Sequence, residues 1–126
     1  MPPVTLVFFR ELDGRAPVRE WLLRLQLEDH QAHDRLAIRL RRLAILGFEL
    51  RRPEADFVRD GVYELRARRG HVNLRILYGF HGRTVVVLLH ALTKEDRLPE
   101  ADLRRVLERK RRFDLNPVQH THEDPP

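Results

Sequence analysis

The sequence predicts a single α+β domain with helices packed on one face of a mostly antiparallel four-stranded sheet, in the order β-α-α-β-β-β-α. Three observations carry that expectation. Two stretches with helical apolar spacing follow one another almost without a break. Two later segments alternate apolar and polar residues around a short turn. A nearly continuous apolar run comes next, and a last stretch of helical spacing closes the pattern. The 126 residues amount to one domain's worth of chain.

Each element has a local reason. Residues 4–9 (Val-Thr-Leu-Val-Phe-Phe) are β-branched and aromatic and read as a strand. Residues 11–16 form a turn around Asp13-Gly14. Pro17 suits the first position of a helix, where its missing N–H costs nothing. Val18, Trp21, Leu22 and Leu25 then mark one buried face, and this helix is expected to end near Glu28. A second helix runs from about His30 to Leu46 on the stripe Leu36, Leu40 and Leu43, with Gly47 as its stop. The short gap between the two predicts an antiparallel helical hairpin.

Residues 48–61, with Pro53, Gly61 and mixed charge, read as loop. Tyr63, Leu65 and Ala67 alternate with Glu64, Arg66 and Arg68. Arg69-Gly70 makes a hairpin turn, after which Val72, Leu74, Ile76 and Tyr78 alternate with Asn73, Arg75 and Leu77. His81-Gly82 is a second turn, and residues 84–92 read as a central strand covered on both faces. The last helix starts near Pro99, with Leu103, Val106, Leu107 and Lys110 on one side. Residues 1–112 are the expected domain, and the proline-bearing segment 113–126 an expected flexible tail.

Composition narrows the function. The chain has no cysteine, which removes disulfides, thiolate metal sites and cysteine nucleophiles. No apolar run approaches the ~18 residues of a membrane span, and the first residues do not form a signal peptide, so a soluble cytoplasmic protein is expected. Net charge is +5, and of 24 basic residues only Lys94 and Lys110 are lysine. Such an arginine excess points to a polyanionic partner, although arginine use also follows genome base composition.

The arginines that strand geometry places together are the informative ones. Period-2 alternation puts Arg66 and Arg68 on one face of the first hairpin strand and Arg75 on the same face of the second. Guanidiniums on a rigid sheet suit forked hydrogen bonding to phosphate. Periodicity alone accommodates a solvated sheet face equally well. His71, at the hairpin tip beside Arg69, is the imidazole near this row, in reach of a substrate there. His90 lies in the apolar strand and reads as a hydrogen-bonded core residue. His120-Thr121-His122-Glu123 is too loosely placed for a metal site.

Several segments together resemble the RelE/ParE toxin superfamily, in particular its phage-derived HigB-like branch. They are Tyr63-Glu64-Leu65-Arg66, Asn73-Leu74-Arg75-Ile76-Leu77-Tyr78, and Val86 through Lys94. Phe8-Phe9-Arg10, the segment Gly14 to Val18 and Pro99 before the last helix fit the same order. The resemblance implies a RelE-like fold and the toxin of a type II toxin–antitoxin pair. It implies a ribosome-dependent mRNA endonuclease needing no metal or other cofactor, and a helix-turn-helix antitoxin that neutralises it in a hetero-oligomer. On the same resemblance Arg75 matches a catalytic arginine that contacts the scissile phosphate, and Lys94 a second cation after the last strand. Arg66 falls where relatives carry lysine or histidine. Arginine holds its proton too tightly for an ordinary base, which casts Arg66 as a phosphate clamp.

The chain also departs from the pattern. Glu64 stands where RelE has a lysine, and the tyrosine early in RelE's last helix has no counterpart, since Tyr63 and Tyr78 are the only tyrosines. The expected site is therefore Arg66, Arg68, Arg69, Arg75 and Lys94 on RNA phosphate, with Glu64 or His71 moving the proton. A ParE-like toxin that binds DNA gyrase, or a catalytically decayed partner of the antitoxin, are the alternatives.

Overall fold

The computed structural model describes residues 3–93 and 98–123. Its elements are β1 (Thr5–Phe8), α1 (Pro17–Glu28), α2 (His30–Leu46), β2 (Ala55–Arg59), β3 (Val62–Arg69), β4 (Val72–His81), β5 (Val85–Thr93) and α3 (Glu100–Leu115). The five strands form one sheet in the order β1-β5-β4-β3-β2. β1 runs parallel to β5, and the other neighbours are antiparallel.

The helical hairpin forms as the spacing predicts, and its two helices share one pivot. Glu20 reaches back from the first turn of α1, and its Oε2 accepts the Ala16 N–H at 2.8 Å. Asp29 ends α1 and caps α2, its Oδ1 accepting the Ala32 N–H at 3.2 Å. Gly47 stops α2 at φ 55°, and a Cβ there would lie 3.2 Å from the Val4 side chain. Leu36 and Leu43 of α2 are fully buried, so truncating either to alanine costs about 2–5 kcal/mol.

Two corrections to the sequence expectation follow. The sheet has five strands, not four, because residues 55–59 pair with β3 in the register Ala55↔Leu65 and Asp56↔Glu64. β2 is a short, bulged edge strand, and edge strands tolerate the charge that makes this stretch read as loop. The helices do not share one face. α1 and α2 cover Leu65, Leu74, Ile76, Val86 and Leu88, while Val106 and Phe113 of α3 pack on Val62, Leu77, Val87 and Leu89 on the opposite side. The apolar run of β5 thus feeds two cores. In β5 the alternation breaks, because the register slips between Leu77↔His90 and Tyr78↔Leu88. This bulge turns His90 towards α3.

The segment after the last helix makes contacts of its own. α3 continues to Leu115, and the described residues after it strap the outer edge of β1. His120 stacks on Phe9 with centroids 5.1 Å apart, and its Nδ1 lies 2.8 Å from the Arg10 carbonyl oxygen. The Arg10 N–H donates to the His120 oxygen, and the His122 N–H to the Phe8 oxygen. These contacts lack helix or strand periodicity, so the sequence pattern conceals them. Among the described residues, no helix is long and apolar enough to cross a membrane.

Candidate functional site

The β3–β4 hairpin brings three of the predicted residues together. Arg66 and Arg75 are direct cross-strand partners, and Glu64 lies two residues along the same face. Both guanidiniums turn their Nε to one oxygen. Arg66 Nε donates to Glu64 Oε1 at 3.1 Å, and Arg75 Nε lies 3.1 Å from the same atom. The Glu64 side chain is 8% exposed, Arg75 14% and Arg66 42%, so the carboxylate sits under the pair and Arg66 is the arm open to solvent. Sharing the two Nε–H groups leaves the Nη donors of Arg75 for a ligand, and those of Arg66 apart from the Nη2 contact with Asp56 Oδ2 at 3.5 Å. Beside them lies a recess of about 230 Å³, lined by Arg66, Asn73 and Arg75.

The carboxylate beneath this pair has a structural reason. Two arginines facing each other across adjacent strands repel, and directly opposed like charges destabilise a sheet. A buried carboxylate between them removes the repulsion and orients both forks. The pairing also holds back the clamp, because a phosphate must share guanidiniums already engaged with Glu64.

β2 adds residues that sequence reasoning missed. Asp56, opposite Glu64, has its Oδ2 2.9 Å from Arg52 Nε and 3.5 Å from Arg66 Nη2. The Arg52 hydrogen bond holds the Asp56 carboxyl below the usual carboxylate range, with a smaller contribution from Arg66. Spacing offered no signal for this contact, because it exists only once the unpredicted strand pairs with β3.

The remaining predicted residues fall elsewhere. Arg68 stays on the row, opposite Asn73, with its Nε donating to the Gly70 oxygen at 3.0 Å. Arg69 leaves it. Alternation turns this side chain to the α1–α2 side, where its Nε lies 3.4 Å from Asp29 Oδ1. His71 is exposed on the turn. It is four residues from Arg75, about 13 Å along the strand. Lys94 lies outside the described residues.

A second polar network faces the same side of the sheet from β5. His90 stands two strands from Glu64, through Leu77 in both registers, or about 10 Å. Arg109 Nη1 approaches His90 Nδ1 at 3.2 Å, and His90 Nε2 lies 2.7 Å from Asp102 Oδ1. Arginine only donates, so Nδ1 is the acceptor and Nε2 carries the proton towards Asp102. Burial pushes the His90 pKa down, against the pull of the Asp102 hydrogen bond, and Arg109 adds to the depression. Arg109 is further tied to Leu89 O at 2.8 Å and to Glu11 Oε1 at 3.0 Å. This network docks α3 on the sheet, as the core reading of His90 expected.

Comparison with known proteins gives one match. A family model described as Phage derived protein Gp49-like (DUF891) matches residues 20–111, a span that contains α2, β2 to β5 and therefore the whole Glu64–Arg66–Arg75 arrangement. No curated protein matches the chain.

Proposed function

The chain belongs to the Phage derived protein Gp49-like (DUF891) family, a RelE-like toxin family, and from that premise we propose that it is the toxin of a type II toxin–antitoxin pair and cuts mRNA on the ribosome. The observation that carries this reading is the cross-strand pair Arg66–Arg75 with Glu64 beneath it.

The proposed reaction needs no metal. The RNA 2′-oxygen attacks the adjacent phosphorus, the P–O5′ bond breaks, and the products are a 2′,3′-cyclic phosphate and a 5′-hydroxyl end. Negative charge builds on the non-bridging phosphate oxygens, where Arg66 and Arg75 donate from their Nη groups. Removing one such donor typically costs about 10²–10³ in rate. Glu64 is the carboxylate beside the clamp and accepts the 2′-OH proton, while a proton from water completes the leaving 5′-oxygen. His71, at the exposed turn, and Arg68 meet RNA that crosses the hairpin tip, and Lys94 adds positive charge after β5. The partner is a helix-turn-helix antitoxin that forms a hetero-oligomer with the toxin, and the setting is the cytoplasm.

Induction in growing cells, with mapping of mRNA ends, tests this. The wild type is expected to arrest growth and create new ends in coding regions, and Arg75→Ala to lose both. Equal arrest and identical ends in the mutant would overturn the mechanism.

One observation favours a second reading. Both tyrosines face the α1–α2 side of the sheet, packed with centroids 5.6 Å apart, and burial raises the Tyr78 phenol pKa. Neither reaches the arginine pair, so the site lacks a tyrosine, and a ParE-like toxin that binds gyrase, or a decayed toxin retained to bind the antitoxin, needs none. DNA damage signalling without new mRNA ends would select the gyrase reading.

A further inference from the structure

A recess of about 460 Å³ wraps the free edge of β2. Its wall combines two kinds of group. Phe48, Phe57 and Tyr63 are aromatic, and Arg51, Arg52 and Asp56 are charged. Phe57 is 56% exposed, an unusual state for phenylalanine in a small domain. It rests edge-on against Tyr63, with centroids 5.4 Å apart and planes at 73°. This contact fixes the Phe57 ring while leaving much of it open to solvent.

The recess is continuous with the arginine pair. Asp56 lines it and also contacts Arg66 through Oδ2, and Arg52 lines it while holding the same Asp56 oxygen. Register puts Asp56 on the face of Glu64 and Phe57 on the face of Tyr63, so the recess leads from the clamp around the strand edge to the open ring. Single-stranded RNA is gripped through this pairing of surfaces. Bases stack on aromatic side chains, and arginines neutralise the neighbouring phosphates.

We propose that the β2 edge is a nucleobase subsite, in which a base flanking the scissile phosphate stacks on Phe57 while Arg51 and Arg52 hold the next phosphate. Charge argues for RNA over a protein strand as the occupant. The recess carries two cations and one carboxylate, a net positive charge, with Arg52 paired to Asp56 and Arg51 Nη1 turned to the Phe48 and Leu50 carbonyl oxygens. Asp56 Oδ1 accepts the Phe57 N–H at 3.0 Å and keeps a second lone pair, which suits an amino or imino N–H of a base and repels carbonyl oxygens. The inference rests on the RNA-cleaving reading above.

The test is end mapping in cells that express the full chain as wild type, Phe57→Ala, Phe57→Tyr or Arg75→Ala. Phe57→Ala should cut about tenfold more slowly, in keeping with loss of one base–aromatic stack, and should lose base preference at one position beside the cut. Phe57→Tyr keeps a ring and should keep both rate and preference, which separates stacking from any loss of folding. Wild-type cutting with unchanged preference in Phe57→Ala, while Arg75→Ala is silent, overturns the subsite and leaves the nuclease reading intact. Absence of cutting by the wild type overturns both. If Phe57→Ala cuts normally but escapes a co-expressed antitoxin, or loses self-association in solution, the recess belongs to a protein and the proposal fails.

Discussion

Replacing Glu64 by glutamine separates its two roles, because one is structural and the other chemical. The Glu64 and Arg75 side chains are 8% and 14% exposed, so this half of the cluster is a buried ion pair. Removing one partner of such a pair outright costs about 3–5 kcal/mol. Glutamine keeps an oxygen at the same reach and forfeits mainly the charge assistance, which reduces the cost to about 1–2 kcal/mol. The Arg66 half is 42% exposed and solvent-screened, adding below about 1 kcal/mol. For a chain of this length, about 4 °C of melting temperature corresponds to each kcal/mol, so Glu64→Gln should melt about 4–12 °C lower. RNA affinity should hold or rise, since the two guanidiniums no longer share their charge with a carboxylate. Cleavage should fall about 10²–10⁴-fold, the usual contribution of a general base. The assays are a thermal melt, binding of an RNA oligonucleotide and end mapping with the same purified or induced variant. A folded Glu64→Gln that cleaves at the wild-type rate refutes Glu64 as the proton acceptor and reduces it to a holder of the arginines.

Three further outcomes are expected. His120→Ala should destabilise the fold by about 2–3 kcal/mol, because it removes a buried ring stacked on fully buried Phe9 and its bond to the Arg10 carbonyl; a denaturation midpoint equal to wild type would show that the strap contributes nothing. His90 has its pKa depressed in the folded chain, so its contribution is complete above the unfolded value of about 6.5 and is lost as pH falls from there towards the folded value. Urea titrations between pH 7 and 5 should therefore slope less for His90→Asn than for wild type, and parallel slopes would contradict the assignment. Arg69→Ala should leave cleavage unchanged and cost at most about 1 kcal/mol, since its Asp29 contact is on the other face and solvent-screened; loss of cutting comparable with Arg75→Ala would place Arg69 back on the RNA surface.

Much of the architecture is legible in the sequence because it follows local periodicity. Leu36 and Leu43 declare α2, and the alternation from Tyr63 to Tyr78 declares the hairpin and its facing arginines. What was hidden depends on contacts between distant segments. β2 is recognisable only through its partner β3, because its charged residues and bulge suit an edge. His120 is buried by a segment about 110 residues away in the chain, which no local pattern records. The parity break that turns His90 to α3 needs the β4–β5 register. At the site, alternation correctly put Glu64, Arg66 and Arg75 on one face, but it did not reveal that one carboxylate oxygen serves both guanidiniums. Nor did it disclose that Asp56 and the open ring of Phe57 extend the site beyond the hairpin.

The chemistry of the RNA ends tests the central claim most directly. Ends that appear on induction of the wild type should carry a 2′,3′-cyclic phosphate on one side of the cut and a 5′-hydroxyl on the other, and Arg66→Ala and Arg75→Ala should each abolish them. New ends bearing 5′-phosphates, or growth arrest with no new ends at all, would contradict an arginine clamp that stabilises attack by the 2′-oxygen.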